Sequence, residues 1–203
     1  MRALLALFAA VLLAGCGAAA TGPAVEPVSP MPASSPVAVA PPEPEASPVA
    51  DPASVAIPRL GVAADVVPVG ICAKAAPPKC SGADELEVPD VHQVGWYRGS
   101  PRPGAAGPAL LAGHVNWHGT TGPFARIGTL RVGDEITVTD RDGDRHRFVV
   151  SAVAHFAKAE YDQHMPGLLA NTAGPELRLV TCSGDLIGHD YQDNTVVSAK
   201  EAS

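Results

Sequence analysis

The residue in this chain best suited to act as a nucleophile is Cys182. It ends the segment Glu176–Cys182, in which alternating apolar residues and β-branched residues favour an extended strand. Ser183 and Gly184 follow, and this pair is expected to break the strand. The sequence therefore predicts a thiol held at the tip of a buried strand, beside a flexible loop where substrate can reach it.

His114 is the histidine whose sequence context matches that of Cys182. A thiol needs a neighbouring base or cation to react at neutral pH, because its free pKa is about 8.5. His114 ends the apolar stretch Ala109–Gly113 and precedes a polar loop. If the two strands are neighbours, the imidazole meets the thiol at one end of the sheet and can protonate a leaving amine. The alternative is an ordinary solvated histidine at a strand end.

Short strands must position these two residues. The chain has 20 glycines and 21 prolines, which favour turns and short strands over long helices. An Asp-Gly turn at 142–143 predicts a hairpin, and 159–171 is the best candidate for a helix. Residues 54–203 are therefore predicted to form one mostly antiparallel barrel or sandwich. The predicted strands are 55–57, 62–69, 85–88, 93–97, 109–114, 134–139, 147–153, 176–182 and 194–197.

The N-terminus indicates export. Residues 3–13 form an apolar run too short to span a bilayer comfortably, which predicts a lipoprotein-type signal peptide over residues 1–15. The tetrapeptide Leu13-Ala-Gly-Cys16 resembles a bacterial lipobox, in which the cysteine receives a diacylglycerol. Two or more acyl chains would hold the protein stably at the extracytoplasmic face of the cell membrane. The alternative is an ordinary signal peptide or anchor helix in which Cys16 is incidental.

Residues 16–53 are predicted to be a disordered tether rich in proline and alanine. They hold ten prolines and have no aromatic residue, no lysine and no arginine, so they cannot build a core. Their expected role is to keep a folded head away from the membrane. The net charge of −7, without any cluster of basic residues, argues against nucleic acid as a partner.

The cysteine count leaves one thiol over. The chain has four cysteines, and lipidation of Cys16 would remove one. Cys72 and Cys80 lie in one proline-containing loop, and an exported protein meets an oxidising compartment, so we expect a structural disulfide between them. The alternative is two free thiols. Cys182 is then either a reactive thiol or an intermolecular link.

Four motifs in this order resemble those of sortases, the cysteine transpeptidases of Gram-positive cell surfaces. They are Leu111–His114, Leu130–Asp134, Leu177–Cys182 and Asp193–Val197. The first and third resemble the His and Thr-Cys motifs of sortases generally, and the resemblance covers the whole predicted head. A finer likeness, to the actinobacterial class F branch, lies in 94–98, 104–108 and 193–194.

The resemblance implies an eight-stranded β-barrel with one or two short helices, and a two-step reaction. The Cys182 thiolate would attack the carbonyl between Thr and Gly of an LPXTG-like sorting signal and form a thioester. An amine of the peptidoglycan precursor, or water in its absence, would resolve that thioester. His114 would act as acid and then base, while Thr181 and Val180 would shape the substrate site. No metal and no cofactor is implied.

The sequence departs from the sortase pattern in its last strand. Sortases typically carry an arginine at the start of that strand, close to the thiol, whereas residues 191–194 here read Tyr-Gln-Asp-Asn. Arg178 is the predicted substitute, because it lies four residues before Cys182 and strand alternation puts both side chains on one face. Gln192 or Asn194 could instead donate a neutral hydrogen bond. Weaker candidates are Arg126 and Arg131.

Two other functions stay open at this point. A non-catalytic lipoprotein with a sortase-like barrel would bind sorting signals or surface proteins, which the missing arginine favours. A metal-dependent hydrolase would use His114, His118 and His189 as zinc ligands, although the predicted loop around His118 suits a helical metal pair poorly. Selective alkylation of Cys182 that a sorting-signal peptide prevents would distinguish the transpeptidase from the hydrolase.

Overall fold

The computed structural model of the protein describes residues 48–75, 79–80, 84–188 and 190–202. The predicted signal peptide, Cys16 and the tether up to residue 47 lie outside the described residues. The first strand begins at Pro52, two residues before the predicted start of the head at residue 54. In the part of the chain that is described, no helix has both the length and the apolar character needed to cross a membrane.

Eight of the strands among the described residues close into one barrel. The ten strands are β1 (Pro52–Ile57), β2 (Val62–Val69), β3 (Val94–Tyr97), β4 (Gly107–Gly113), β5 (Asn116–Trp117), β6 (Thr120–Thr121), β7 (Glu135–Asp140), β8 (Arg145–Ala157), β9 (Pro175–Ile187) and β10 (Asp190–Glu201). One α-helix, α1 (Lys158–Leu168), and two 3-10 turns, Pro58–Leu60 and Ile127–Thr129, complete the described elements.

The barrel order is β1-β2-β3-β4-β9-β10-β8-β7, and β7 pairs back to β1. Two neighbouring pairs, β2–β3 and β4–β9, are parallel, and the others are antiparallel. Strands β5 and β6 form a separate hairpin outside the barrel. The predicted fold class, a mainly β closed barrel of eight strands with a short helix, is confirmed.

Alternation along the strands fills the barrel interior. Successive side chains of a strand point to opposite faces, so every second residue enters the core. In β9 these residues are Leu177 and Leu179, and both are fully buried. Aromatic side chains add the largest apolar surfaces, and truncating one of them costs about 3–5 kcal/mol in a typical core. The largest fully buried side chains include Phe124, Phe148, Ile57, Leu111, Ile127 and Ile136.

Helix α1 covers the outside of β10. Strands β8 and β9 both pair antiparallel with β10, so they run in the same direction and the chain must cross over β10 to connect them. The helix packs against β8 and β10. Val196 of β10 lies outside the interior cluster yet is only 1% exposed, which this cover explains. The packed face of α1 carries half-buried residues at helical spacing: Tyr161, Met165 and Leu168.

The prediction that the strand ends at Cys182 was wrong. β9 continues to Ile187, and the register shifts where Gly184 and Asp185 face the single residue Gln192 of β10. This two-against-one arrangement is a β-bulge, and the φ of +78° at Gly184 explains why glycine is found there. The Ser-Gly pair therefore bends the strand instead of ending it.

The strand predicted at 85–88 is also absent from the structure. Leu86 forms one isolated bridge with Ile71, and the rest of the segment is irregular. Its residues favour an extended backbone, but no neighbouring strand pairs with them along their length. The same connection contains a disulfide between Cys72 and Cys80, and Cys182 is the free cysteine of the described part.

Candidate active site

The register of two parallel strands relates the positions of His114 and Cys182. Residues 107–112 of β4 each pair with the β9 residue 68 positions later. The Thr181 hydroxyl also donates a 2.8 Å hydrogen bond to the Gly113 carbonyl, which ties the next pair of residues together. β4 ends at Gly113, and the same offset carried one residue further would set His114 opposite Cys182 on strands about 5 Å apart.

Both reactive side chains lie on the outer face of the barrel. Leu177 and Leu179 enter the interior, so Val180 and Cys182 take the opposite face of β9. Cys182 is half-buried, which leaves one side of the thiol open to substrate. Val180 lies two residues before Cys182 on the same face, where it can line a substrate groove. Thr181 instead turns inward, is 6% exposed, and joins β9 to β4 rather than contacting substrate.

The environment of His114 keeps its imidazole neutral. Burial lowers the pKa of His114, and the carbonyl of Pro89 and the charge of Asp90 offset this only in part. Nε2 lies 3.2 Å from the Pro89 carbonyl oxygen. A carbonyl can only accept, so Nε2 carries the proton and Nδ1 is the basic nitrogen of the neutral ring. The ring also packs against Trp117, with centroids 5.5 Å apart.

The thiol is held in its protonated form at rest. Burial raises the pKa of Cys182, the charge of Lys158 lowers it, and the charge of Asp190 raises it. With the pKa of Cys182 raised and that of His114 lowered, the resting pair is a thiol beside a neutral imidazole. A base next to a thiol can generate the thiolate as the sulfur attacks.

Asn194 completes a row of polar residues on this face. It pairs directly with Cys182 from β10, on the side opposite His114. Its half-buried side chain offers a neutral N–H₂ donor. Gln192, the other neutral candidate from the sequence, lies at the bulge, is exposed, and donates a 3.0 Å hydrogen bond to the Asp190 carbonyl. Cys182 and Asn194 therefore lie side by side on β9 and β10, and His114 follows the end of the neighbouring strand β4.

Arg178 shares a face with Cys182, as strand alternation predicts, but its guanidinium is engaged elsewhere. It donates to the Glu176 carboxylate at 2.6 Å, to the Leu168 carbonyl at 3.0 Å and to the Leu177 carbonyl at 3.3 Å. Four residues span about 13 Å of strand, and Glu176 lies on the side away from the thiol. These contacts hold the C-terminus of α1 to β9 and do not support the predicted catalytic role of Arg178.

Neither of the two weaker arginine candidates makes a hydrogen bond to a site residue in the described part of the chain. Arg126 donates a 2.7 Å hydrogen bond to the Leu60 carbonyl. Arg131 is exposed and lies in the turn that leads to β7. The cation whose charge acts on Cys182 is instead Lys158, the first residue of α1.

Helix α1 supplies a part of the site that the sequence motifs do not indicate. Burial raises the pKa of Tyr161 to about 12, with smaller contributions from the charges of Asp162 and Cys182. The phenol therefore lies near the thiol and stays protonated at neutral pH, as a hydrogen-bond donor. The half-buried spacing of Tyr161, Met165 and Leu168 was the available signal, because it marks the face of a helix that packs on a sheet.

Two further contacts border the site. His164 of α1 packs on Phe156 of β8, with ring centroids 4.5 Å apart, and Phe156 pairs with Asn194. On the opposite side, Asn116 of the β5–β6 hairpin donates a 2.6 Å hydrogen bond to the Tyr191 hydroxyl of β10. The thiol is therefore flanked by a helix on one side and by a hairpin on the other.

The zinc alternative finds no support in the described residues. Among them, no group of three or more His, Cys, Asp or Glu residues could hold a metal ion. His118 sits in the turn of the β5–β6 hairpin with a φ of +47°, and its ring packs edge-on against Trp117. His189 lies outside the described residues.

Comparison with known proteins gives one family match and several structural matches. The model of the family described as Sortase domain matches residues 55–202. Among solved structures, the lid mutant of sortase A from Corynebacterium diphtheriae aligns over 79% of this chain and 74% of its own, with a TM-score of 0.57 and 18% identity.

Two more solved structures share the fold at similar distances. Sortase C-1 from Actinomyces oris aligns over 74% of this chain and 73% of its own, with a TM-score of 0.54 and 19% identity. A Clostridium perfringens sortase D5 transpeptidase aligns over 75% and 79%, with a TM-score of 0.52 and 19% identity. No curated protein matches the chain.

Proposed function

Given that this chain belongs to the sortase family, we propose that it is a cysteine transpeptidase of the class F type that acts on secreted proteins. It cleaves an LPXTG-like sorting signal between Thr and Gly and transfers the acyl group to an amine of the cell-wall precursor. The observation that supports this proposal is the parallel register of β4 and β9, whose 68-residue offset, continued one residue past Gly113, would pair His114 with the half-buried Cys182.

In the first half of the reaction His114 acts as base and then as acid. Nδ1 takes the thiol proton while the Cys182 sulfur forms a bond to the carbonyl carbon of the substrate threonine. The carbonyl oxygen becomes an oxyanion. When it collapses, the bond to the glycine nitrogen breaks, and the imidazolium returns its proton to the leaving amine. The product is a thioester on Cys182, with the imidazole neutral again.

In the second half, an incoming amine attacks the thioester carbon. His114 accepts the proton that this amine loses. When the tetrahedral intermediate collapses, the Cys182 sulfur leaves and takes that proton from the imidazolium, which restores the resting thiol. A neutral imidazole at neutral pH suits this step, because only the unprotonated ring can accept that proton. Water in place of the amine gives hydrolysis by the same route.

Asn194 is the residue we assign to the oxyanion. The sequence has no arginine at the start of the last strand, and Arg178 is bonded to Glu176 and Leu168. Asn194 pairs directly with Cys182 and offers an amide N–H close to where the oxyanion develops. The phenol of Tyr161 and the ammonium of Lys158, both from α1, add positive potential on the same side of the thiol.

The finer parts of the proposal rest on sequence. The likeness to class F lies in 94–98, 104–108 and the Asp193-Asn194 pair. The lipobox-like tetrapeptide ending at Cys16 supports a lipid anchor at the extracytoplasmic face of the membrane, with 16–53 as the tether between anchor and barrel. Such an anchor would hold the enzyme where exported substrates and cell-wall precursors both occur.

The proposal is tested by incubating the full chain with an LPXTG peptide and following intact mass. We expect a thioester adduct on Cys182, which disappears when an amine acceptor is added and yields the ligated peptide. Cys182→Ala should lower turnover by about 10⁴-fold or more, because no other group replaces the nucleophile, and should leave the thermal midpoint nearly unchanged.

Alkylation of Cys182 separates the rival functions. A peptide that slows alkylation of the thiol but never forms an adduct or product would identify a non-catalytic binder of sorting signals. A Cys182→Ala variant that cleaves as fast as the native chain would exclude the transpeptidase.

A further inference from the structure

We propose that the Cys72–Cys80 disulfide is a positioning device for His114, since it fixes the segment that supplies the imidazole's hydrogen-bond acceptor. The inference deepens the proposed function and rests on it, because it assigns a role in the same reaction to a crosslink that makes no contact with substrate. Its basis is a continuous path of covalent and hydrogen bonds from the disulfide to the imidazole.

The path lies in the connection between β2 and β3, residues 70–93. Among its described residues (70–75, 79–80 and 84–93) no regular strand forms, so the segment is held by a few individual backbone contacts. Cys72 fixes one point: its N–H donates to the Glu85 carbonyl and its own carbonyl accepts from the Asp84 N–H, both at 2.8 Å. The isolated bridge between Ile71 and Leu86 continues the same pairing.

Cys80 leads from this point to the catalytic base. The residue before it, Lys79, accepts a 2.8 Å hydrogen bond from the Val88 N–H. Val88 directly precedes Pro89, whose carbonyl oxygen lies 3.2 Å from His114 Nε2. The disulfide therefore ties residues 79–80 to Cys72, and the hydrogen bond from Val88 to Lys79 ties the backbone just before Pro89 to the same point. This arrangement fixes the carbonyl that accepts from the imidazole.

His114 depends on such an outside contact. It follows the last residue of β4, and its backbone carbonyl accepts a 3.1 Å hydrogen bond from the Phe124 N–H, which holds the backbone but not the orientation of the ring. The nitrogen that must accept the thiol proton is Nδ1, and it is the free acceptor only while Nε2 donates to Pro89. Pro89 has no N–H of its own to anchor it, so its position depends on Val88. Both cysteines are buried, at 3% and 8% exposure, as a structural crosslink should be.

The test compares the native full chain with Cys72→Ser/Cys80→Ser. In ¹⁵N-edited NMR of the imidazole nitrogens, the native protein should show His114 as a single Nε2–H tautomer. The double variant should show a mixture of tautomers and a kcat lower by about 10- to 100-fold, because a small misplacement of a catalytic group carries that cost. The KM should change less than twofold, since no substrate contact is lost.

Three controls isolate the disulfide from general loss of stability. Val88→Pro removes the N–H that binds Lys79 but keeps the crosslink, and it should shift the tautomer in the same direction. Val138→Ala, in the interior on β7 across the barrel from β4, should lower stability without changing the His114 signal. Reducing the native disulfide with a phosphine should reproduce the double variant, and the same phosphine should leave the double variant unchanged.

The proposal would be overturned by a double variant whose His114 tautomer and kcat match those of Val138→Ala at equal loss of stability. The NMR measurement needs no substrate. If the double variant shows the expected mixture of tautomers but the native chain processes no LPXTG peptide, the proposed substrate is wrong and the positioning role stands. The two failures are therefore distinguishable.

Discussion

Two rows of side chains on one face of the same four strands have opposite properties. One row, called the upper row, contains Cys182, Asn194 and Phe156, and His114 directly follows the end of β4, where the β4–β9 offset would continue this row. The other row, called the lower row, lies four residues earlier on β9 and runs across the strands from Leu110 through Arg178 and Ser198 to Ala152. The single charged group of the lower row is 8% exposed, and three hydrogen bonds tie its guanidinium to nearby residues.

The difference shows that strand alternation alone does not identify a catalytic residue. Alternation places Arg178 and Cys182 on the same face, and that is correct. What distinguishes them is whether the polar group still has capacity to act on a substrate. The guanidinium of Arg178 holds α1 to β9, whereas burial raises the pKa of the Cys182 thiol and lowers that of the His114 imidazole. Under the proposed function the upper row serves chemistry and the lower row serves stability.

The sharpest test of this contrast is Asn194→Ala in the upper row. If Asn194 donates to the oxyanion, its removal should lower kcat by about 10²–10³-fold with little change in KM, because the hydrogen bond forms only in the transition state. Steady-state kinetics with an LPXTG peptide measure this effect.

Gln192→Ala is the matched control for Asn194→Ala, since it removes an amide of the same strand that lies at the bulge and bonds to Asp190. It should change kcat less than threefold. If Gln192→Ala lowers kcat more than Asn194→Ala does, the oxyanion donor is Gln192 at the bulge and its assignment to Asn194 is wrong.

A smaller and different effect is expected from Arg178→Ala in the lower row. This variant leaves the half-buried Glu176 carboxylate and the C-terminus of α1 without their donor, which should cost about 3 kcal/mol of unfolding free energy. Urea denaturation measures that loss. The kcat of the folded fraction should stay within a few-fold of the native value.

The double variant Arg178→Ala/Glu176→Ala should recover part of the lost stability, because the unpaired carboxylate is then gone. If Arg178→Ala instead lowered kcat by 10²-fold or more at unchanged stability, the guanidinium would act on substrate after all, as the sequence suggested.

The sequence predicted the strands of this sheet better than it predicted which strands pair. Alternating apolar and β-branched residues located β9, β4 and the central part of β10, because burial of one face requires that pattern. The pairing of β4 with β9 could not be derived from either strand, since it depends on where the rest of the barrel places them. The 68-residue offset that brings His114 to Cys182 is a property of that pairing.

Local signals failed where tertiary structure uses them differently. Ser183-Gly184 resembles a strand break, yet the left-handed φ of Gly184 lets β9 form a bulge and continue. Glu85–Val88 favours an extended backbone but finds only one bridge partner. Lys158 and Tyr161 carry no motif, because their relation to the thiol exists only once α1 crosses β10.

The smallest expected effect is the loss of stability at acidic pH that titration of His114 causes. The folded protein holds the pKa of His114 below its ordinary value of 6.5, chiefly through burial, whereas the unfolded chain does not. Above pH 6.5 the ring is neutral in both states and the group contributes no pH dependence. Below it the unfolded chain binds the proton more readily, so stability is lost as the pH falls from 6.5 towards the lowered pKa of the folded state.

His114→Gln removes this titration while its amide can still donate to Pro89. Its unfolding free energy should therefore fall less steeply than that of the native chain between pH 7 and pH 5, as urea titrations at each pH would show. The other titrating groups are common to both chains and cancel in the difference. In the native enzyme the acid limb of kcat/KM should lie below pH 6.5 for the same reason. Parallel stability curves, or an acid limb above 6.5, would mean that His114 is not held neutral by burial and that the resting thiol–imidazole pair is wrongly assigned.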